Sequence, residues 1–131
     1  MNALERFVGI PYRDHGRDFD GVDCWGLVDL FHARALNCRL PDYSGLYRSA
    51  GDKAHAALCF ALGAQAWERR TDPPCYGDVL LFRFGPFACH SALALGDGRF
   101  LHCLVGRHSC IESESSLIWA KRREGIYRWR R

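Results

Sequence analysis

Hydrophobic residues follow a helical spacing in the first half of the chain. In residues 24–36, and again in residues 52–66, apolar side chains recur at steps of three and four, the period of a helix with one buried face. Residues 3–8 form a shorter segment of the same kind, which ends at Gly9 and Pro11. These patterns predict three helices in the first half of the chain.

The second half changes to short apolar runs separated by turn residues, a pattern typical of strands. The predicted strands, of which the last two are weaker, are residues 78–82, 90–95, 99–103, 109–112 and 125–130. Helices followed by an antiparallel meander predict an α+β fold, with the N-terminal helices packed on a central antiparallel sheet. With 131 residues the chain is interpreted as one domain, residues 1–131. The long irregular segments 11–22 and 37–51 are expected to line a groove or carry function.

Cys24 stands at the predicted start of the second helix, directly after Asp23. Asp23 is a strong N-cap candidate. If it caps, Cys24 lies in the first turn, where unpaired backbone N–H groups and the positive end of the helix dipole favour an anion. We therefore expect Cys24 to have a depressed pKa and to act as a thiolate nucleophile. The alternative is a small, buried hydrophobic residue at a helix start.

A thiol nucleophile needs a base, and the base needs a group that orients it. His90 and His102 flank one predicted hairpin turn. If residues 96–98 form a three-residue loop with Gly98 in the left-handed conformation, the two histidines lie on the same face as diagonal neighbours. Their β-carbons would then be roughly 7–8 Å apart, within reach of two imidazole rings. A two-residue turn would instead send the rings to opposite faces.

Zinc binding is an alternative use of the cysteines and histidines near this hairpin. Cys89 and His90 are neighbours on a predicted strand and point to opposite faces, so they cannot both bind one ion without a bulge. A mixed set, such as Cys89 with Cys103, stays open. The chain has seven cysteines but no C-x-x-C pair, and a disulfide framework is not expected without an export signal. We expect no metal, and the cysteines other than Cys24 are interpreted as packed or incidental thiols.

Composition and charge narrow the class of protein. The chain is 48% hydrophobic and 25% charged, which excludes disordered and collagen-like classes. A net charge of +3 is too small to indicate nucleic-acid binding, and the arginines near the C-terminus are interpreted as a solvated face. We expect no membrane span, because no apolar run approaches the roughly 20 residues that a bilayer needs. The N-terminus lacks the pattern of a signal peptide, so the chain is expected to be made in the cytoplasm.

Three blocks of sequence point to a family when they are taken in order. They are Pro11-Tyr12 with the loop that leads into FDGVDCWGLV (residues 19–28), YGDVLLF (residues 76–82) and HSALALGDGRFLH (residues 90–102). Together, over about 120 residues, they resemble the NlpC-type cell-wall peptidases, which are papain-like cysteine endopeptidases. The first block, followed by LPDY, is especially similar to the phage-tail branch of that family.

The resemblance implies a papain-like fold in which Cys24 is the nucleophile, His90 the general base and His102 the residue that orients the base. It also implies that the Tyr12 hydroxyl helps to bind the oxyanion, and that Asp23 helps to bind a free amine of the substrate. The family's substrate is a short peptidoglycan stem peptide, cut between γ-D-glutamate and the diamino acid. The resemblance implies no metal or organic cofactor.

Two functions follow as hypotheses. The first is a hydrolase of a phage or prophage tail that acts at the host cell wall. The second is a tail-tip assembly component, in which the same fold is a structural module that binds other tail proteins with little or no catalysis. Acyl transfer is a third, more distant hypothesis. Ser91-Ala92 and Tyr76 depart from the residues that the family usually has at these positions, which leaves the natural substrate less well determined than the triad.

Overall fold

The computed structural model describes residues 3–41, 43 and 52–130, and the helices in the first half of the chain fall where the hydrophobic period predicts them. The helical elements are a 3-10 helix at Ala3–Phe7, α1 at Cys24–Ala35, α2 at Lys53–Gly63 with a 3-10 turn at Ala64–Ala66, and α3 at Leu117–Arg122. The helix α1 begins directly after Asp23, as expected. The predicted α+β class is confirmed, because these helices accompany a central antiparallel sheet.

The strands β1 (Arg17–Asp18) and β2 (Gly21–Val22) pair with each other outside the main sheet, which has six further strands in the described part of the chain. They are β3 (Trp67–Arg70), β4 (Val79–Phe84), β5 (Phe87–Ala94), β6 (Arg99–His102), β7 (Cys110–Ser113) and β8 (Arg123–Trp129). Their spatial order is β3-β8-β4-β5-β6-β7, and each neighbouring pair is antiparallel. The last strand thus inserts beside β4, while β7 forms one edge of the sheet.

The β5–β6 hairpin has the register on which the histidine argument depends. Leu93 pairs with Leu101, and the Leu95 N–H donates a hydrogen bond to the Arg99 carbonyl at 2.9 Å. Gly98 has a φ of +86°, in the left-handed region that such a loop requires. The predicted three-residue loop is therefore confirmed, and both histidines belong to the same face of the hairpin.

Helices cover the sheet on both faces. On one face α1 packs Leu27, Leu30 and Phe31 against Leu93 and Leu101. On the other face the short helix α3 packs Trp119 against a cluster of buried residues from the strands. These are Leu80, Phe82, Ala92, Ala94, Phe100 and Ile126. Side chains of β5 alternate between the two faces and so contribute to both apolar clusters. His90 lies an even number of residues from Ala92 and Ala94, so it belongs to the face that α3 covers.

Three elements differ from the prediction. Residues 11–22 are not a plain loop, because Arg17–Asp18 (β1) and Gly21–Val22 (β2) form a small hairpin before α1. The strand β3 and the helix α3 were not predicted, since four and six residues are too short to show a clear period. Much of the predicted loop 37–51 lies outside the described residues. None of the described helices combines the length and hydrophobicity that crossing a bilayer requires.

Candidate active site

Asp23 caps α1 and thereby positions Cys24 in the first turn of the helix. Its carboxylate accepts a hydrogen bond from the Gly26 backbone N–H at 2.7 Å, as the sequence predicts. The same carboxylate accepts from the Arg17 guanidinium at 2.9 Å and from the His15 backbone N–H at 3.0 Å. Gly26 allows this packing, because a β-carbon there would overlap the Gly16 carbonyl oxygen. The helix start is therefore held by contacts with the β1–β2 hairpin and the residues just before it.

The Cys24 thiol does not have the depressed pKa that its position at a helix start predicts. Cys24 is only 7% exposed, and burial together with the neighbouring Asp23 carboxylate raises its pKa to about 11. Ser91 lies against the thiol, and its backbone and hydroxyl act in the opposite direction. The prediction of a resting thiolate is thus wrong, because the cost of desolvating the anion outweighs the helix dipole.

His90 and His102 meet as the hairpin register predicts. His90 Nε2 and His102 Nδ1 are 2.8 Å apart, and both rings are buried. On the far side, His102 Nε2 lies 2.5 Å from a carboxylate oxygen of Glu112, a residue of β7. A continuous line of hydrogen bonds therefore runs from His90 through His102 to an acidic side chain at the edge of the sheet.

This line of hydrogen bonds determines where the protons lie. A carboxylate only accepts, so His102 carries its proton on Nε2 and offers the Nδ1 lone pair to His90. His90 then donates from Nε2, which leaves the lone pair of its Nδ1 as the site that can accept a proton. Burial, followed by the neighbouring charges of His102 and Arg122, lowers the pKa of His90 well below its usual value. The neutral ring is therefore the resting form of the candidate base.

Aromatic packing holds this pair of imidazoles in place. The Trp119 ring lies 4.9 Å from the His102 ring and 5.8 Å from the His90 ring, measured between centroids. Phe84 lies 5.3 Å from His90 on the same basis. These contacts exclude water from the histidine pair, so the hydrogen bond between the rings is stronger than it would be in solvent.

A cavity of about 60 Å³ connects the candidate nucleophile and the candidate base. It is lined by Tyr12, Cys24, Lys53, Phe84, Cys89, His90, Cys103, Leu104 and Val105. Cys24 and His90 thus face one space, and Lys53 brings a positive charge to it from the start of α2. A second, almost entirely apolar cavity of about 50 Å³ lies on another side of Cys24, between Trp25, Phe60 and Trp67.

Tyr12 and Asp23 are present at the site in different ways. Tyr12 lines the cavity with Cys24, but its hydroxyl donates to an Asp14 carboxylate oxygen at 2.5 Å. Burial and this hydrogen bond raise the pKa of Tyr12, so the hydroxyl keeps its proton and can donate if it turns away from Asp14. Asp23 is fully buried and accepts the three hydrogen bonds described above. A contact with a substrate amine, which stays a prediction, would require the packing around this buried carboxylate to open.

Two further residues at the site were not predicted as site residues from the sequence. Glu112 comes from a weakly predicted strand that follows a long connection, so no local pattern indicates that it reaches His102. Ser91 has a buried hydroxyl that makes no hydrogen bond of normal geometry to any described residue, and the Cys24 thiol is beside it. For Ser91 a signal was available, because this position departs from the residue usual in the resembled family.

The structure also separates the metal-type donors near the hairpin. Cys89 with Cys103, the mixed set left open above, does not form a cluster of three such donors among the described residues. His102, Cys110 and Glu112 do form one. The seven cysteines are thiols rather than disulfides.

Comparison with known proteins identifies the family of the chain. The sequence profile of the NlpC/P60 family matches residues 9–128. The chain belongs to the NlpC/P60 family. Solved NlpC/P60 structures have the same fold at low sequence identity and cover nearly the whole of this chain. The NlpC/p60 domain of the peptidoglycan hydrolase SagA has a TM-score of 0.61 and 18% identity over 94% of this chain and 90% of that one. NlpC2 from Trichomonas vaginalis has a TM-score of 0.70 and 17% identity over 96% of this chain and 44% of that one.

Curated relatives of this NlpC/P60 chain are similar at the level of sequence. The gamma-DL-glutamyl hydrolase of Bacillus subtilis is 27% identical over 98% of this chain and 28% of its own length. The murein DD-endopeptidase MepS/murein LD-carboxypeptidase of Escherichia coli is 25% identical over 93% of this chain and 57% of its own length. The chain therefore spans between about a quarter and about three-fifths of these relatives.

Proposed function

We propose that this NlpC/P60 chain is a cysteine endopeptidase that hydrolyses peptidoglycan stem peptides at the bond between γ-D-glutamate and the diamino acid. One observation carries the proposal. Cys24 and His90 line the same cavity, and His90 is held by a hydrogen-bonded line through His102 to Glu112. A packed core has no need for two buried imidazoles and a carboxylate in this order, whereas a general base with a defined tautomer does.

The reaction follows from the proton positions. The Nδ1 lone pair of His90 accepts the Cys24 proton as the sulfur attacks the carbonyl carbon of the substrate amide. The ring becomes an imidazolium, whose Nε2 proton is held by His102 and, through His102, by the Glu112 carboxylate. His90 returns the proton to the leaving amine when the C–N bond breaks. Water then attacks the thioester, with His90 again accepting the proton, and Cys24 is regenerated.

The oxyanion needs donors at the start of α1. The Cys24 backbone N–H is one candidate, and the Tyr12 hydroxyl is the second if it turns from Asp14 toward the substrate. In known enzymes one such donor contributes about 2.7–4 kcal/mol to transition-state stabilisation. Tyr12 would then act only after substrate enters, because its proton is engaged with Asp14 in the structure.

Attack and proton transfer are expected to be coupled in this site. The pKa of Cys24 is raised to about 11 and that of His90 is lowered, so the neutral pair is more stable than a thiolate–imidazolium pair. The thiol would therefore lose its proton as it attacks rather than beforehand. Resting Cys24 is thereby protected from oxidation and alkylation, since the thiolate is the reactive form.

The substrate class is supported by the relatives. The two curated relatives described above are named as a glutamyl hydrolase and a murein peptidase, and one structural relative is a peptidoglycan hydrolase. The cavity adds a chemical reason, because Lys53 gives it a positive charge suited to the free carboxylates of a stem peptide. No cofactor is needed for this chemistry.

Action from a phage or prophage tail, at the cell wall of the host, is a further part of the proposal. It rests on the similarity of residues 19–28 and of LPDY (residues 40–43) to the sequences of the phage-tail branch. Tail proteins would be the partners. The alternative, an assembly module with little catalysis, draws on one structural observation. Cys24 is a buried thiol with a raised pKa, which is also what an inert cysteine has.

Digestion of purified peptidoglycan separates these two functions. Wild-type protein should release stem-peptide fragments that mass spectrometry assigns to cleavage after γ-D-glutamate. Cys24→Ala should release none, with an unchanged circular dichroism spectrum and melting temperature. Equal release by both proteins would reject Cys24 as the nucleophile. A folded wild-type protein that binds tail proteins but cuts nothing would favour the assembly module.

A further inference from the structure

Three metal-type donors converge on the side of His102 that faces away from His90. His102 and Cys110 are direct partners in the β6–β7 pair, and Glu112, two residues farther along β7, belongs to the same face. The imidazole nitrogen, the thiol sulfur and a carboxylate oxygen all lie within 4.8 Å of one another. We propose that these residues form a zinc site which, when filled, switches off the neighbouring base.

A tetrahedral ion would fit after movements of about 1 Å, because the donors that are farthest apart, now within 4.8 Å of one another, must approach and the nearest pair must separate. Zinc bonds of about 2.0–2.3 Å at tetrahedral angles set neighbouring donor atoms roughly 3.4–3.6 Å apart. His102 Nε2 and the Glu112 oxygen are 2.5 Å apart, so they must separate by about 0.9 Å. Glu112 can supply this movement, because its side chain is 37% exposed and β7 is an edge strand.

The donor set also selects the kind of ion. One imidazole, one thiolate and one carboxylate are ligands of Zn²⁺ and of its probe Co²⁺, whereas Mg²⁺ and Ca²⁺ prefer oxygen alone. Three protein ligands leave a fourth position for water. Cys110 is exposed, so the ion can enter from solvent without opening the core. When it binds, the thiol proton of Cys110 is released to solvent.

Zinc at this position would reverse the protons along the relay. A ring nitrogen that binds metal cannot carry a proton, so neutral His102 would carry its proton on Nδ1 instead of Nε2. That Nδ1–H would donate to His90 Nε2, and the His90 proton would move to its own Nδ1. His90 would then carry a proton on Nδ1 and accept a hydrogen bond at Nε2, so it would have no free lone pair with which to accept the Cys24 proton. The site would be inhibited through a change of tautomer, without any block of the cavity.

The binding step is tested first, in a protein that lacks the nucleophile. Cys24→Ala protein is titrated with Co²⁺ alone, and the thiolate-to-cobalt charge-transfer band and the d–d bands of tetrahedral cobalt are recorded. We expect both bands in Cys24→Ala and their loss when Cys110→Ser is added. Cys75→Ser is the matched control, because Cys75 is also an exposed thiol but lies outside the cluster. Absence of the bands in Cys24→Ala, or their persistence without Cys110, would overturn the site.

The switch itself rests on the proposed function and is tested by activity. Zn²⁺ should inhibit wild type and Cys75→Ser at the same concentration, whereas Cys110→Ser should need at least about 10-fold more, since loss of even an outer-shell partner weakens metal sites by 10–100-fold. Equal sensitivity of Cys110→Ser would mean that zinc acts at Cys24 and His90, and would overturn the switch, as would binding without inhibition. Cobalt bands from Cys110 in a protein that cuts no peptide would leave the metal site standing while the proposed function fails. Cys110→Ala replaces Cys110→Ser if the latter does not fold.

Discussion

Replacement of Glu112 by glutamine tests whether the acidic end of the relay controls the base. Glutamine has the same length, but it lacks the charge, and it can present an N–H donor where His102 Nε2 now donates. A donor at that place would favour the opposite tautomer of His102 and, through it, of His90. Burial lowers the pKa of His102, whereas the hydrogen bond and charge of Glu112 raise it, so the variant should lower that pKa further.

The size of the effect follows from the exposure of Glu112. Hydrogen bonds to charged groups contribute about 1.5–3 kcal/mol. The Glu112 side chain is 37% exposed, so solvent screening favours the lower half of that range, about 1.5–2 kcal/mol. At 1.36 kcal/mol per tenfold, kcat/KM should fall by about 10- to 30-fold. The loss should be far smaller than that for a carboxylate bonded directly to the base, which can reach about 10⁴-fold.

The assay measures initial rates of cleavage of a stem tetrapeptide, with products separated by chromatography and identified by mass. Glu114→Gln is the matched control, because Glu114 is close in sequence but its carboxylate accepts from Arg123 rather than from a histidine. Glu112→Asp should recover part of the rate, since it keeps the charge. A loss below about threefold in Glu112→Gln, or the same loss in Glu114→Gln, would refute the relay; the 10- to 30-fold estimate leaves that margin.

Three other predictions concern labelling, binding and stability. With a limiting alkylating reagent at neutral pH, the exposed thiols of Cys75 and Cys110 should be labelled before Cys24. The labelling rate of Cys24 should rise with pH toward its pKa of about 11. If Cys24 were labelled first at pH 7, the buried neutral thiol would be contradicted. Lys53→Gln should raise KM by about 10-fold with little change in kcat, as expected for a contact worth about 1.4 kcal/mol in ground and transition states alike, and an unchanged KM in peptide kinetics would exclude a substrate contact. Asp23→Ala should lower the free energy of unfolding by about 3–5 kcal/mol in urea titration, because it removes the helix cap and leaves Arg17 without its buried partner; a loss below 1 kcal/mol would show that the cap is dispensable.

Local sequence patterns were sufficient for much of the framework. The three- and four-residue period predicts α1, the Asp23 side chain predicts the residue at which it begins, and the residue types at 96–98 predict the loop that sets the β5–β6 register. These features depend on neighbours in the chain, so the residues carry the information directly. His90 and His102 meet because the register follows from the turn, and their 2.8 Å hydrogen bond is the outcome of that local geometry.

The tertiary structure decided the electrostatics and the distant partners. Cys24 lies at a helix start, which by itself favours a thiolate, yet packing against β5 removes it from water and raises its pKa instead. Glu112 reaches His102 only because β7 pairs with β6 after a long connection whose length sets no register. Burial and contacts between distant segments depend on how whole elements pack, and no local period encodes that. The sequence by itself thus predicted the helix start, the hairpin register and the candidate catalytic groups, while the fold determined the charge states of these groups and the direction in which their protons point.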